Sequence, residues 1–181
     1  MATNPCLVTA EQLEKFPDDD HRYELVDGRL LTMSPPAYEH GRVVMRVMLV
    51  LGSYVSERKL GDLLPEVGYK LASNPDTVRG PDLSFIRHDR LPFIRKRGFV
   101  HGAPDFVVEV LSPDDRPGEM RRKLDDYLTH GVQCVLVLDP DDETATLYRR
   151  LGAPVTLRGD DRIDLSDVIA GFTCQVQHFF E

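Results

Sequence analysis

Two acidic residues stand where acids are seldom found. Glu109 lies inside Phe106-Val107-Val108-Glu109-Val110-Leu111-Ser112-Pro113. Apolar residues of high strand tendency surround one carboxylate there, as in a strand buried on both faces. An isolated ionised carboxylate in such a place would cost many kcal/mol, so it must be paired, protonated or bound to a metal. Asp82 has a similar setting in Gly80-Pro81-Asp82-Leu83-Ser84-Phe85-Ile86. Alternate residues of a strand share a face, so Asp82 goes with Ser84 and Ile86, and Glu109 with Val107 and Leu111. If the two strands are neighbours, both carboxylates can converge on one divalent cation. Mg²⁺ suits one or two carboxylates, a backbone carbonyl, waters and phosphate oxygens, and Mn²⁺ would suit the same ligands. The carbonyl of Val110 is a further candidate ligand. Lys123 follows on the next helix, one turn from Met120 and from Tyr127, so it can point toward the sheet. An ammonium beside two carboxylates and a metal can orient and activate a water.

Positioning these groups requires a sheet with helices packed on it. Residues 9–16 predict a short helix with Thr9 as N-cap and Gln12 completing a capping box. Tyr23 to Met33 predicts a hairpin turning at Asp27-Gly28. Residues 40–58 carry the strongest helical pattern, with Val44, Val47, Met48, Leu51, Tyr54 and Val55 on one face. Strands are expected near 66–72, 82–87 and 105–111, with a polar, basic loop over 88–103. Residues 117–130 predict a second helix, with Met120, Leu124, Tyr127 and Leu128 on one face and Gly131 at its C-terminal end. Cys134 to Asp139 reads as a buried strand that pairs with Thr144 to Arg150 across an acidic turn, and the tail as short strands and a final turn. The sum is an α/β fold: a mixed sheet flanked by helices, with an N-terminal β-hairpin.

The 181 residues are 41% hydrophobic, enough for one domain over residues 1–181 with a proper core. The longest apolar stretches, such as Val47 to Leu51, are about five residues against the roughly 20 of a membrane-spanning helix, so no membrane partner is expected. The start, Met1 to Cys6, lacks the charged and apolar regions of a signal peptide. Cys6, Cys134 and Cys174 are far apart, which indicates neither a disulfide framework nor zinc, and a cytoplasmic location is expected. The net charge of −8 argues against a generic nucleic-acid binder. Its distribution is uneven: Arg87, Arg90, Arg95, Lys96 and Arg97 cluster, as do Arg116, Arg121, Arg122 and Lys123, while acids gather at Asp18 to Asp20, Asp139 to Glu143 and Asp160 to Asp167. The basic segments are either solvated surface or a rim that holds a phosphodiester over an acidic metal site.

Pro81-Asp82 followed by Glu109-Val110-Leu111 resembles the PD-(D/E)XK nuclease pattern. More closely, residues 20–175 resemble the restriction-endonuclease family called Uma-two. The matching segments are Tyr23 to Gly28, Ser34-Pro35-Pro36 with Glu39-His40, Leu64-Pro65-Glu66, Pro81-Asp82, Ala103-Pro104-Asp105, Glu109 to Pro113, Lys123-Leu124 with Tyr127, Gly131-Val132 and Asp139-Pro140. The resemblance implies a restriction-endonuclease-like core and Mg²⁺-dependent hydrolysis of a DNA phosphodiester. It implies that Asp82 and Glu109 bind the metal and that Glu24 and His40 line the same site. The usual lysine of the motif falls on Leu111, and Lys123 would replace it. A homodimer would supply one site for each strand of a duplex. In one departure, Gln133-Cys134-Val135-Leu136 stands where many relatives carry a glutamate followed by aromatics.

Each residue also has a plainer reading. Asp82 could cap a turn after Pro81, and Lys123 and Glu24 could be solvated. His40, over a buried helical stripe, could pack or cap. Glu109 could be a buried partner of Lys123 or an arginine, Glu66 and Tyr127 supporting residues, and Ser112 simply the end of a strand. The leading function is a Mg²⁺-dependent endonuclease. The rivals are a non-catalytic nucleic-acid-binding or interaction domain, favoured by the Gln133 departure and the acidic charge, and a hydrolase of small phosphoesters.

Overall fold

The structure, a computed structural model, describes residues 7–17, 19, 21–94, 97–113 and 115–181. Cys6, Asp18, Asp20, Arg95 and Lys96 lie outside the described residues. In chain order the elements are α1 (Ala10–Leu13), β1 (Arg22–Val26), β2 (Arg29–Met33), α2 (Tyr38–Glu57), β3 (Gly61–Pro65), β4 (Tyr69–Ala72), β5 (Thr77–Arg79) and β6 (Leu83–Arg87). A 3₁₀ turn over His88–Phe93 leads to β7 (Val100–His101), β8 (Phe106–Val110), α3 (Pro117–Thr129), β9 (Cys134–Asp139) and β10 (Thr144–Arg149). β11 (Val155–Arg158), β12 (Arg162–Asp164), β13 (Thr173–Gln175) and a 3₁₀ turn at Val176–Phe179 complete the chain.

The strands form a mixed α/β architecture with one sheet ordered β2-β1-β5-β4-β7, a second ordered β11-β10-β9-β8-β6-β3, and the small pair β12-β13. The second sheet carries the core. Its strand β8 sends Phe106, Val108 and Val110 to one face, against Val43, Val47, Leu51 and Val55 of α2. Val107 points to the other face, where it packs with Leu124 and Tyr127 of α3. This period-2 division puts Glu109 on the α3 side. β8 and β9 are parallel, with Glu109 level with Val137, and α3 is the crossover that a parallel pair requires. β6 runs antiparallel to β8 with Leu83 opposite Val108 and Ser84 opposite Val107. Continued by one residue, that register sets Asp82 level with Glu109.

Local chemistry accounts for much of the rest. Thr9 and Gln12 form a reciprocal capping box on α1. The β1–β2 hairpin turns at Asp27 (φ 49°) and Gly28 (φ 74°), the positive angles that a two-residue turn of this hand needs. α2 begins at Tyr38, two residues before the expected start, and its N-cap Ala37 has no capping side chain to mark that position in the sequence. The expected strand 66–72 is β4 alone, because Glu66 sits in a left-handed bend (φ 55°). The edge strand β3 lies just before it, and β5, three residues long, is too short to show a period. The expected loop 88–103 contains the His88–Phe93 turn and β7. Among the described residues no helix is long and apolar enough to cross a membrane.

Candidate functional site

The site forms where the two sheets meet. β5 ends at Arg79, and Gly80-Pro81 carries the chain from the first sheet to Asp82, immediately before β6 in the second. Glu24 comes from β1, Glu109 and Val110 from β8, Lys123 and Tyr127 from α3, and His40 from the first turn of α2. Glu24, His40, Asp82, Glu109 and Lys123 are all buried, and all line one cleft of about 210 Å³. The solvated readings of Glu24 and Lys123 therefore fail: Glu24 is on the inward face of β1, and Lys123 shares the sheet-facing side of α3 with Tyr127.

Hydrogen bonds tie these side chains into a network. Lys123 Nζ donates to Glu109 Oε2 at 2.7 Å and lies 3.4 Å from Glu24 Oε1. The Tyr127 hydroxyl donates to Glu109 Oε1 at 2.8 Å. Asp82 Oδ2 accepts the Val110 N–H at 2.8 Å and sits 3.1 Å from His40 Nε2. Arg79 Nη1 donates to Glu24 Oε2 at 2.6 Å, while its Nε and Nη2 both reach Asp126 Oδ2 of α3. At the mouth, Arg22 Nη1 lies 3.2 Å from Glu66 Oε1 and 3.9 Å from Asp82 Oδ1.

The charge states follow from this packing. Burial pushes Glu109 up to about 7, and the neighbouring Asp82 and Glu24 charges add to it against the pull of Lys123. Burial alone would lower Lys123, but the carboxylates of Glu109, Glu24 and Asp82 hold it above its ordinary range. Burial acts to raise Asp82, yet the His40 hydrogen bond, the Lys123 charge and the Val110 N–H bring it below the usual carboxylate range. Glu24 is likewise lowered, the charges of Lys123 and Arg79 outweighing its burial. His40 is raised, its burial being overcome by Asp82.

The donors that could face a divalent cation are the oxygens of Asp82 and Glu109 and the Val110 carbonyl. The Val110 N–H reaches Asp82, and a strand residue's N–H and C=O point to the same edge; Val110 also lines the cleft. Among the described residues no three His, Cys, Asp or Glu side chains are grouped to hold a metal. The donor set therefore does not make an all-protein cage. It fits Mg²⁺, which is held by one or two carboxylates and keeps several waters.

Sequence reasoning did not single out Arg79, Arg22 or Asp126. Arg79 stands three residues before Asp82, and a cation beside Pro81-Asp82 was the only available signal. Tyr127, read as supporting, bonds Glu109 directly. The basic segment 87–97 is not at the cleft where it is described. Arg87 and Arg90 pair with Asp105, which precedes β8 at the end opposite Glu109. Gln133 also binds Asp105 there, about 13 Å along the strand from Glu109, so the departure at Gln133 does not alter the cleft. Arg116, by contrast, stands at the N-cap position of α3, whose first turns line the cleft.

A family model described as "Putative restriction endonuclease", Uma2, matches residues 10–177. A solved structure described as a "putative nuclease belonging to DUF820" from Anabaena variabilis is similar in fold: TM-score 0.82, 21% identity, 96% of this chain and 97% of that chain covered. No curated protein matches the chain.

Proposed function

The chain belongs to the Uma2 family, described as "Putative restriction endonuclease", and from that membership we propose that it is a Mg²⁺-dependent endonuclease hydrolysing DNA phosphodiester bonds. One observation carries the reading: Asp82, just before β6, accepts the N–H of Val110, the residue after Glu109 on β8, and the Lys123 ammonium lies 2.7 Å from Glu109 in the same cleft. Asp82, Glu109 and the Val110 carbonyl would hold the metal. A bound Mg²⁺ would polarise the phosphate and lower the pKa of a water. Lys123 orients the attacking water and offsets the charge that develops on the phosphate. Glu24 keeps Lys123 charged and aimed, and His40 and the Val110 N–H fix the Asp82 carboxylate. Arg22 meets the phosphate at the mouth, and Arg116, at the N-cap of α3, contacts the backbone beside it. Mn²⁺ would serve the same ligands. In this reading residues 1–181 act as one cytoplasmic domain, paired as a homodimer where both strands of a duplex are cut.

A second reading has its own observation. Both oxygens of Glu109 are already engaged by Lys123 and Tyr127, as suits a non-catalytic domain with a sealed polar core. Cleavage of supercoiled and single-stranded DNA in Mg²⁺ or Mn²⁺ separates the two. Metal-dependent cutting that Glu109→Gln and Asp82→Asn each reduce at least about a hundredfold is expected, since each would remove a carboxylate that holds the cation, and losing one group that stabilises transition-state charge costs about that much. DNA binding with no cutting in either metal would leave the non-catalytic reading, and hydrolysis of model esters without DNA binding would leave the small-phosphoester one.

A further inference from the structure

Beside the cleft lies a second cavity of about 200 Å³, and the sheet shows why it exists. β1 and β5 share a single register pair, Leu25 with Val78. After Arg79, which the register sets opposite Glu24, the chain leaves the first sheet at Gly80-Pro81, so among the described residues Arg22 and Tyr23 of β1 have no strand beside them on that edge. The cavity fills the gap. Tyr23 and Phe99, both half-buried, wall it. The Phe99 ring rests on the backbone of Gly68, where a Cβ would come within 2.5 Å of it. The Arg22–Glu66 pair supplies the polar edge. Arg22, Glu24 and Met33 line both cavities, which therefore share one wall.

We propose that this second cavity receives the base of an unpaired nucleotide whose phosphodiester lies in the cleft, so that the nucleic acid is bound as a single strand or with that nucleotide turned out of a duplex. The proposal rests on the reading of the cleft as a phosphodiester site. A nucleobase has a π-face and a hydrogen-bonding edge. Tyr23 and Phe99 offer rings for the face, and Arg22 and Glu66 offer donors and acceptors for the edge. A paired base presents only its groove edges, so stacking on these rings requires that it leave the duplex. The depth of the site points the same way. Glu109 is 2% exposed and Asp82 7%, and a backbone reaching them must bend into a narrow cleft. An unpaired strand bends freely, whereas a duplex is stiff over about 50 nm.

The test uses the whole protein in EDTA, so that binding is read apart from cleavage. An oligodeoxynucleotide carrying 5-iodouracil is irradiated while bound, and the crosslinked residue is identified by mass spectrometry. Crosslinks to Tyr23 or Phe99 are expected from the single strand. The same crosslinks from a duplex would identify the turned-out nucleotide as a source. DNA bound with crosslinks only elsewhere would overturn the proposal, as would failure to bind any DNA. Phe99→Ala should weaken single-strand binding about tenfold, the scale of one lost base–aromatic stack, and Phe99→Tyr should keep it. Crosslinking at Tyr23 or Phe99 by a protein that cuts nothing in Mg²⁺ would remove the nuclease reading and leave this one. Cutting without those crosslinks would do the reverse.

Discussion

Lys123 is the residue on which the cleft turns. It is a buried ammonium whose neighbours are Glu109, Glu24 and Asp82, with Arg79 and Arg22 as the other cations close by. A buried charge pair adds little net stability when intact, but breaking it by removing one partner strands the others in a poorly solvated place. Lys123→Met should therefore destabilise the protein by about 3–5 kcal/mol in urea unfolding at pH 7. It should also abolish cleavage, because among the described residues Lys123 is the cation hydrogen-bonded to Glu109. A variant as stable as the wild type would show that Glu109 is carried protonated and that the ion pair is dispensable. Lys123 itself could be found from sequence because Met120 and Tyr127 mark its helical flank. Glu24 could not be placed from its own segment: Tyr23-Glu24-Leu25-Val26 reads equally well with either face inward, and only the neighbouring Arg79 settles which one is buried.

At the scale of elements, short pieces are held by charged tethers rather than by their own propensity. α1 has four residues, far fewer than an isolated helix needs. Its first N–H, from Ala10, is taken by Asp76 Oδ2 at 2.7 Å, and the same oxygen lies 3.0 Å from Lys70 Nζ of β4. Asp76 thus joins α1 to the β4–β5 hairpin. Burial acts to raise its pKa, but the Ala10 N–H and the Lys70 ammonium lower it below the usual carboxylate value of 3.8. A carboxyl group depressed on folding contributes stability that is present above its unfolded pKa and is lost as pH falls through the folded one. Asp76→Asn should accordingly be less stable than the wild type by about 1–3 kcal/mol at pH 7, with the two converging below about pH 4. Thermal melts across pH 3–8 measure this, and a gap that is constant over the whole range would assign the effect to packing. Arg79 does the corresponding work at the cleft, since one guanidinium binds Glu24 of β1 and Asp126 of α3 and so fixes the helix that carries Lys123.

For the whole molecule, the net charge of −8 and the proposed polyanionic substrate pull in opposite directions, so binding has to rely on local cations. Arg87 and Arg90 are committed to Asp105 at the far end of β8, and Arg122 is paired with Asp27. Arg22 lines the cleft beside Glu66, and Arg116 stands at the N-cap of α3, whose first turns line it. About two phosphate contacts on a single strand predict a slope of about −1.4 in log K against log[salt]. Fluorescence anisotropy between 50 and 300 mM salt tests it. A slope near zero would mean that no phosphates are neutralised and would remove the nucleic acid from the proposal, while a slope several times steeper would place further cations, such as those of segment 87–97, on the DNA.

Sequence alone was enough for the α/β class, the hairpin at Asp27-Gly28, the helices α2 and α3, and the anomaly of carboxylates in the runs around Asp82 and Glu109. These are local facts: turn chemistry, a period of 3.6 or 2, and the cost of an unpaired charge among apolar neighbours all operate within a few residues. Tertiary structure decided the remainder. Which strands adjoin, and therefore that Asp82 reaches Val110 beside Glu109, depends on a β6–β8 register set between distant segments. The burial of Glu24 and Arg79 arises where one sheet ends and the other begins, and the second cavity lies where β5 stops short of Arg22 and Tyr23 of β1. The removal of segment 87–94 from the cleft likewise follows from Asp105 lying at the opposite end of β8. Such contacts join residues tens of positions apart, and no periodicity within one segment encodes them.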